Sequence, residues 1–140
     1  MTPEQIHLTQ SSFIGIMENS EKITEILHAE LFHKAPELRS IFPIDTEYQK
    51  MRLIITLGAA VNMLHAPRRL EQTLRNLGVR YFHYGVKFNH YEIFGTALLK
   101  AFSVGLADDW NNELKGAWAA FYVKVSYEMQ TGMQADQCAA

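Results

Sequence analysis

The spacing of apolar residues constrains the fold of this chain most strongly, because they recur at intervals of three and four along most of its length. This spacing places apolar side chains on one face of an α-helix, whereas a half-buried strand alternates every second residue. No stretch shows sustained alternation, and no dipeptide suits a tight hairpin turn. The pattern therefore predicts a single all-α domain with seven or eight helices.

Capping and helix-breaking residues divide this pattern into segments. Thr2, Pro3 and Gln5 have the order of a capping box with a proline in the first turn, which predicts a first helix ending near residue 19. Ser20 is predicted to cap the second helix, and Asn89 to cap a later one. Further helices are predicted over residues 36–42, 47–64, 67–84 and 89–105, and from Asp108 or Asp109 onward.

Length and charge set broad limits on function. The 140 residues suffice for one domain, which we place at 1–134, with 135–140 as a flexible polar tail. Lysine and arginine number 13 against 15 acidic residues, so the charge gives no basis for nucleic-acid or anionic-membrane binding. No apolar run approaches the ~18 residues of a membrane span, and no signal peptide is evident. We expect a cytoplasmic location.

The most informative motif reads LRNLGVRYFHYGVKFNHY and spans residues 74–91. It resembles the end of the F helix, the FG corner and the start of the G helix in bacterial single-domain globins and flavohaemoglobin globin domains, where the pattern is roughly LGxRHxxYGVxxxHYxxxGxxLL. The resemblance implies a globin fold whose helices surround a haem pocket. Cys138 is the single cysteine and no CxxCH motif is present, so the implied cofactor is non-covalent haem b.

Two further segments imply haem contacts on the distal side. LFHKAPELRSIF resembles the globin B–C segment, which places Phe42 where the family stacks a phenylalanine on the porphyrin. QKMRL is similar to the family's QxxKL, so Gln49 matches the distal glutamine and Leu53 the distal leucine. Arg52 stands where a basic residue often reaches a haem propionate. Solvent exposure is the alternative for Gln49 and Arg52.

The proximal side departs from the family. The iron-binding histidine normally stands four residues before the glycine of YGV, and this chain has Tyr81 there. A tyrosine can ligate ferric iron as phenolate and stabilises that oxidation state. His83 is an alternative ligand, but two residues along a helix is ~200° around its axis, so the last turn would have to unwind. The third alternative is a pocket without a proximal ligand.

His28 is a second departure, because it stands fourteen residues before Phe42, where the family usually has a tyrosine. An imidazole there would donate a hydrogen bond to a ligand, act as a catalytic acid or base, or reach the iron. The alternative is a core histidine satisfied by a backbone carbonyl. The remaining cofactor contacts that the resemblance implies are Leu77, Val86, Tyr91, Phe94 and Tyr122.

The resemblance implies a globin that binds O2, NO or a similar diatomic gas at haem iron, with Tyr81 favouring the ferric state. One alternative is a peroxidase-like or NO-oxidising enzyme that uses His28. Because the resemblance covers no reductase domain, its turnover would need an external reductase. Another alternative is a sensor domain, with or without haem. A monomer and a homodimer are both compatible with the sequence.

Overall fold

Six α-helices and two short 3₁₀ segments form the secondary structure of the computed structural model, which describes residues 1–139. No strand occurs within these residues, which confirms the all-α prediction. The predicted count of seven or eight helices is reached only when the 3₁₀ segments are included. The helices are α1 (Pro3–Glu18), α2 (Ser20–Lys34), α3 (Glu47–Asn62), α4 (Pro67–Tyr84), α5 (Phe88–Leu106) and α6 (Asn112–Ala139), with 3₁₀ segments at Pro36–Arg39 and Ala107–Asp109.

The observed helix starts agree only in part with the starts predicted from the sequence. The capping box at α1 is confirmed, since the Thr2 hydroxyl accepts from the Gln5 N–H at 3.1 Å and the Gln5 side chain accepts from the Thr2 N–H at 3.0 Å. Ser20 is already helical, and the α2 cap lies one residue earlier. Asn89 likewise lies inside α5. Both predictions were wrong because the cap residues are Asn19, which makes no side-chain cap hydrogen bond, and Lys87, which is not a preferred cap residue.

The residue that caps α6 differs from the predicted one, and a substitution can test this difference. Asp108 and Asp109 were predicted to cap it, but both lie in a 3₁₀ segment, and the Asn111 Oδ1 accepts from the Leu114 N–H at 2.9 Å. We expect Asn111→Ala to lower the free energy of unfolding by about 1 kcal/mol, because a helix N–H loses its acceptor. Urea denaturation should show a change within about 0.5 kcal/mol for the control Asp109→Ala. Equal losses would contradict this assignment.

The crossing of α4 and α6 is the most extensive helix contact. It depends on two glycines, because a Cβ at Gly78 would overlap the carbonyl of Met129 and a Cβ at Gly132 would overlap the carbonyl of Arg75. The Arg75 Nε lies 3.0 Å from the buried Glu128 carboxylate and adds an ion pair between the helices. This crossing fixes the orientation of α4 about its axis.

The end of α6 includes most of the predicted tail. Within the described residues, α6 continues to Ala139, and Asp136 lies 3.0 Å from the His83 imidazole. Ala140 is outside the described residues, and the domain boundary at residue 134 stays a prediction. In the part of the chain that the structure describes, no helix has both the length and the apolar character needed to cross a bilayer.

Candidate functional site

A cavity of about 360 Å³ lies between α3 and α4, with further walls from α5 and α6. Its volume is within the range of small-molecule sites, and most of its lining side chains are apolar. Eight of the ten predicted cofactor contacts come together here, although they are distributed over more than half of the chain. These eight are Phe42, Leu53, Leu77, Tyr81, Val86, Tyr91, Phe94 and Tyr122.

Tyr81 extends from α4 across this cavity. The Thr56 side chain on α3 lies close to its hydroxyl, and its ring lies edge-on to Phe42 with centroids 5.3 Å apart. Burial raises the pKa of the Tyr81 phenol, and the nearby charge of Arg52 and the polar Thr56 side chain oppose that shift. The phenol is therefore neutral near pH 7, with two neighbouring groups that stabilise its ionised form.

Two further tyrosines lie on the α5 and α6 side of the cavity. The Tyr122 hydroxyl donates to the Tyr91 carbonyl at 2.6 Å, which joins the two helices. The Tyr91 hydroxyl is buried and has no partner among the described residues. Burial raises the pKa of both phenols well above the ordinary value. Because a buried hydroxyl without a hydrogen bond costs about 1–3 kcal/mol, Tyr91 is suited to a polar group of a bound molecule.

Neither Arg52 nor Gln49 lines the cavity, although Arg52 lies beside Phe42, which does. The Arg52 guanidinium donates to the Ile41 carbonyl at 2.9 Å and lies 5.1 Å from the Phe42 ring centroid. The Gln49 Oε1 accepts from the backbone N–H groups of Asp45 at 2.8 Å and Thr46 at 3.0 Å. Gln49 therefore caps α3 and does not line the cavity. The spacing Thr-x-x-Gln was the local signal for this role.

The structure does not bring His83 to the cavity. Its side chain is 63% exposed, and Nε2 lies 3.0 Å from the Asp136 carboxylate. The helix continues through Tyr84 and ends at Gly85, whose φ of 110° is the left-handed conformation expected at a glycine stop. Because the last turn of α4 is intact, the two-residue offset from Tyr81 keeps His83 on the outer side of the helix.

His28 lies in a different place from the one predicted. It is only 4% exposed and stacks on Phe32 at 5.5 Å, but it lines a second groove between α2 and the start of α3. Burial lowers the pKa of the imidazole, and a hydrogen bond to the Thr24 backbone partly opposes this. The structure thus places His28 and Tyr81 in different cavities, and no residue of α2 lines the main one.

Fourteen of the 22 residues that line the cavity were not among the predicted contacts, and four of these are polar: Thr56, Thr73, Arg80 and His90. Thr56 stands three residues after Leu53, so helical spacing could have identified it. His90 is buried with both nitrogens engaged, since Nδ1 accepts from the Lys87 N–H at 2.9 Å and Nε2 lies 3.2 Å from the Glu37 carboxylate. His90 therefore fixes the start of α5 and has no free nitrogen for a ligand.

Comparison with known proteins adds a family match and several relatives. The family model described as Globin matches residues 24–129. An anaerobic nitrite reductase of Gossypium hirsutum is 25% identical over 99% of this chain and 94% of its own length. A flavohemoprotein of Bordetella pertussis is 26% identical over 87% of this chain, which corresponds to 31% of the flavohemoprotein.

Solved structures agree with the fold. A bacterial globin from Campylobacter jejuni superimposes with a TM-score of 0.79 at 21% identity, covering 97% of this chain and 99% of that one. An engineered carbene transferase made from a proposed nitric oxide dioxygenase of Rhodothermus marinus gives a TM-score of 0.81 at 22% identity, covering 99% and 98%. The predicted globin fold is confirmed.

Proposed function

The chain belongs to the globin family, and from this premise we propose that it binds haem b in the cavity between α3 and α4 and a small diatomic ligand such as NO at the iron. One observation carries the proposal: helices distant in sequence bring eight of the ten expected haem contacts to one apolar cavity. The names of the relatives, a nitrite reductase and a flavohemoprotein, are consistent with this chemistry.

The residues around the cavity fit the chemistry of haem. Phe42, Leu53 and Val86 are buried and supply apolar contacts for a flat ring. Arg52, which lies beside the lining residue Phe42, would supply a positive charge for a propionate. The one cysteine is Cys138, which lies exposed on α6, so the cavity offers no thiol for covalent attachment.

We propose that Tyr81 holds the iron. His83 lies outside the cavity, and both nitrogens of His90 are engaged. The nearby charge of Arg52 favours the ionised Tyr81 phenol, which is the form that would bind iron. A phenolate is a hard anionic ligand, so the bound haem would supply a ferric centre for small ligands. Reversible oxygen carriage, which needs ferrous iron, is therefore disfavoured.

Two other functions were open from the sequence. A peroxidase-like or NO-oxidising reaction with His28 gains no support, because His28 lines a separate groove. A haem-free sensor domain has one observation in its favour: the Tyr81 ring lies edge-on to Phe42 at 5.3 Å within the cavity lining, so the protein's own side chains occupy part of that space. Location in the cytoplasm, the external reductase and the choice between monomer and homodimer stay predictions.

Titration with hemin between pH 6 and pH 9 tests the proposal. We expect a saturable one-to-one Soret band whose apparent affinity rises about tenfold per pH unit, because ligation must release the phenol proton of Tyr81. The sign follows from burial, which raises the pKa of Tyr81 above its ordinary value, so the phenol stays protonated over this range.

The Tyr81→His variant is the control for this titration. A neutral imidazole has already lost its proton above pH ~7.5, so its affinity for hemin should be nearly independent of pH there. A wild-type affinity equally independent of pH would show that Tyr81 is not the ligand. The absence of a saturable Soret band would contradict haem binding and favour the haem-free alternative.

A further inference from the structure

The groove that contains His28 is separate from the haem cavity and has a different character. It has a volume of about 830 Å³ and lies between α2, the 3₁₀ segment Pro36–Arg39 and the first turns of α3. None of its lining residues also lines the main cavity. Three carboxylates and one buried imidazole are among its side chains, namely Glu21, Glu25, Glu47 and His28. A ligand site here would not depend on haem.

The His28 imidazole is arranged as a lone-pair donor. The ring hydrogen-bonds to the Thr24 backbone, and its Nε2 is buried without any partner among the described residues. A histidine four residues beyond a helical carbonyl reaches it through Nδ1, and a carbonyl only accepts, so Nδ1 carries the proton. Nε2 is left with a free lone pair. Histidines that bind metal ions commonly use this arrangement, in which the other ring N–H is held by a carbonyl.

Glu25 is the natural second ligand. It lies three residues before His28 in α2, and residues at this spacing are neighbours on a helix surface. The same Glu-x-x-His spacing supplies metal ligands in helical carboxylate sites. Glu25 is exposed, and none of the ion pairs within residues 1–139 includes it. Its carboxylate is therefore free to turn toward His28.

The cations in the groove leave this carboxylate available. Lys50 is paired with Glu47 at 3.4 Å, and the Arg39 guanidinium lies 4.9 Å from the Phe32 ring centroid. Across the described residues, no three His, Cys, Asp or Glu side chains are grouped to hold a metal ion. A metal here would therefore have two protein ligands and would complete its coordination with water.

We propose that the His28 Nε2 and the Glu25 carboxylate bind one Zn²⁺ ion, or a similar divalent transition metal, in the groove between α2 and α3. Imidazole and carboxylate are both ordinary zinc ligands, whereas Mg²⁺ and Ca²⁺ prefer oxygen alone. The site uses none of the proposed haem contacts, so it does not rest on the proposed function.

Isothermal titration of the full chain with Zn²⁺, after removal of trace metals with a chelator, tests this proposal. We expect one saturable site, weakened at least about tenfold by His28→Ala and by Glu25→Gln. His33→Ala is the matched control, because His33 lies exposed in the last turn of the same helix and does not line the groove. Its affinity for Zn²⁺ should equal that of the wild type.

A second readout keeps the test decisive if His28→Ala unfolds. Glu25 is exposed, so Glu25→Gln should fold normally by circular dichroism. With Co²⁺ in place of Zn²⁺, the wild type should give a visible d–d spectrum that changes in Glu25→Gln. The proposal is overturned if Zn²⁺ does not bind, if Glu25→Gln binds it as well as the wild type, or if His33→Ala weakens it equally. Each of these results leaves the hemin titration unaffected.

Discussion

Replacing Tyr81 with histidine is expected to raise the reduction potential of the bound haem by on the order of a few tenths of a volt. The physical reason is that, under the proposed ligation by Tyr81, an anionic oxygen ligand that stabilises ferric iron would be replaced by a neutral imidazole. The ferric charge-transfer band expected of a phenolate should disappear at the same time. Spectroelectrochemistry of the hemin-loaded wild type and Tyr81→His variant measures both changes.

Tyr81→Phe and Tyr84→Phe are the controls for this prediction. The first removes only the hydroxyl of Tyr81, which should abolish the charge-transfer band while preserving most of the packing against Phe42. The second removes a hydroxyl from a neighbouring tyrosine that is 55% exposed, so the spectrum should stay unchanged. A charge-transfer band that survives in Tyr81→Phe would show that another group binds the iron.

Gly78→Ala is expected to lower the free energy of unfolding by about 3 kcal/mol or more. Its new methyl group would overlap the carbonyl of Met129, and backbone in the middle of a helix cannot move aside as a side chain can. Gly132→Ala should have a similar effect through the carbonyl of Arg75. Such a loss is a large fraction of the 5–15 kcal/mol that stabilises a typical domain. Urea denaturation measures it.

Gly116→Ala is the matched control on α6. No atom lies within 4 Å of a Cβ built there, so the change should stabilise the helix by about 0.5–1 kcal/mol through its lower backbone entropy. If Gly78→Ala were as stable as Gly116→Ala, α4 and α6 would not cross as closely as the overlap with the Met129 carbonyl implies. That result would also remove the reason for the orientation of Tyr81.

The elements of the fold could be predicted from the sequence because their signals are local. The capping box of Thr2 and Gln5 lies within four residues, and the glycine stop at Gly85 needs only its own φ. Residue preference predicted Ser20 and Asn89 as caps, but the caps are Asn19, which makes no side-chain cap hydrogen bond, and Lys87. A cap depends on which backbone N–H groups the preceding turn leaves free.

Gln49 and His28 show that matching a residue to a position of the family does not by itself predict which residues it contacts. Gln49 matches a pocket residue of the family, but Thr46 stands three residues earlier and the pair forms a capping box. His28 matches a pocket position too, but its ring lies against Phe32 beside a separate groove. In both cases a nearby side chain provides an alternative contact, which a match by sequence position does not reveal.

The sequence by itself determined the helices and placed Tyr81 on the same face of α4 as Leu74 and Leu77, because helical periodicity depends only on residue spacing. Only the tertiary structure determines which residues this face of α4 contacts. The glycine crossing with α6 fixes the rotation of α4, and the packing opposite brings Thr56 and Arg52 to the phenol. These contacts join residues 25 or more positions apart, and their geometry depends on how the helices pack.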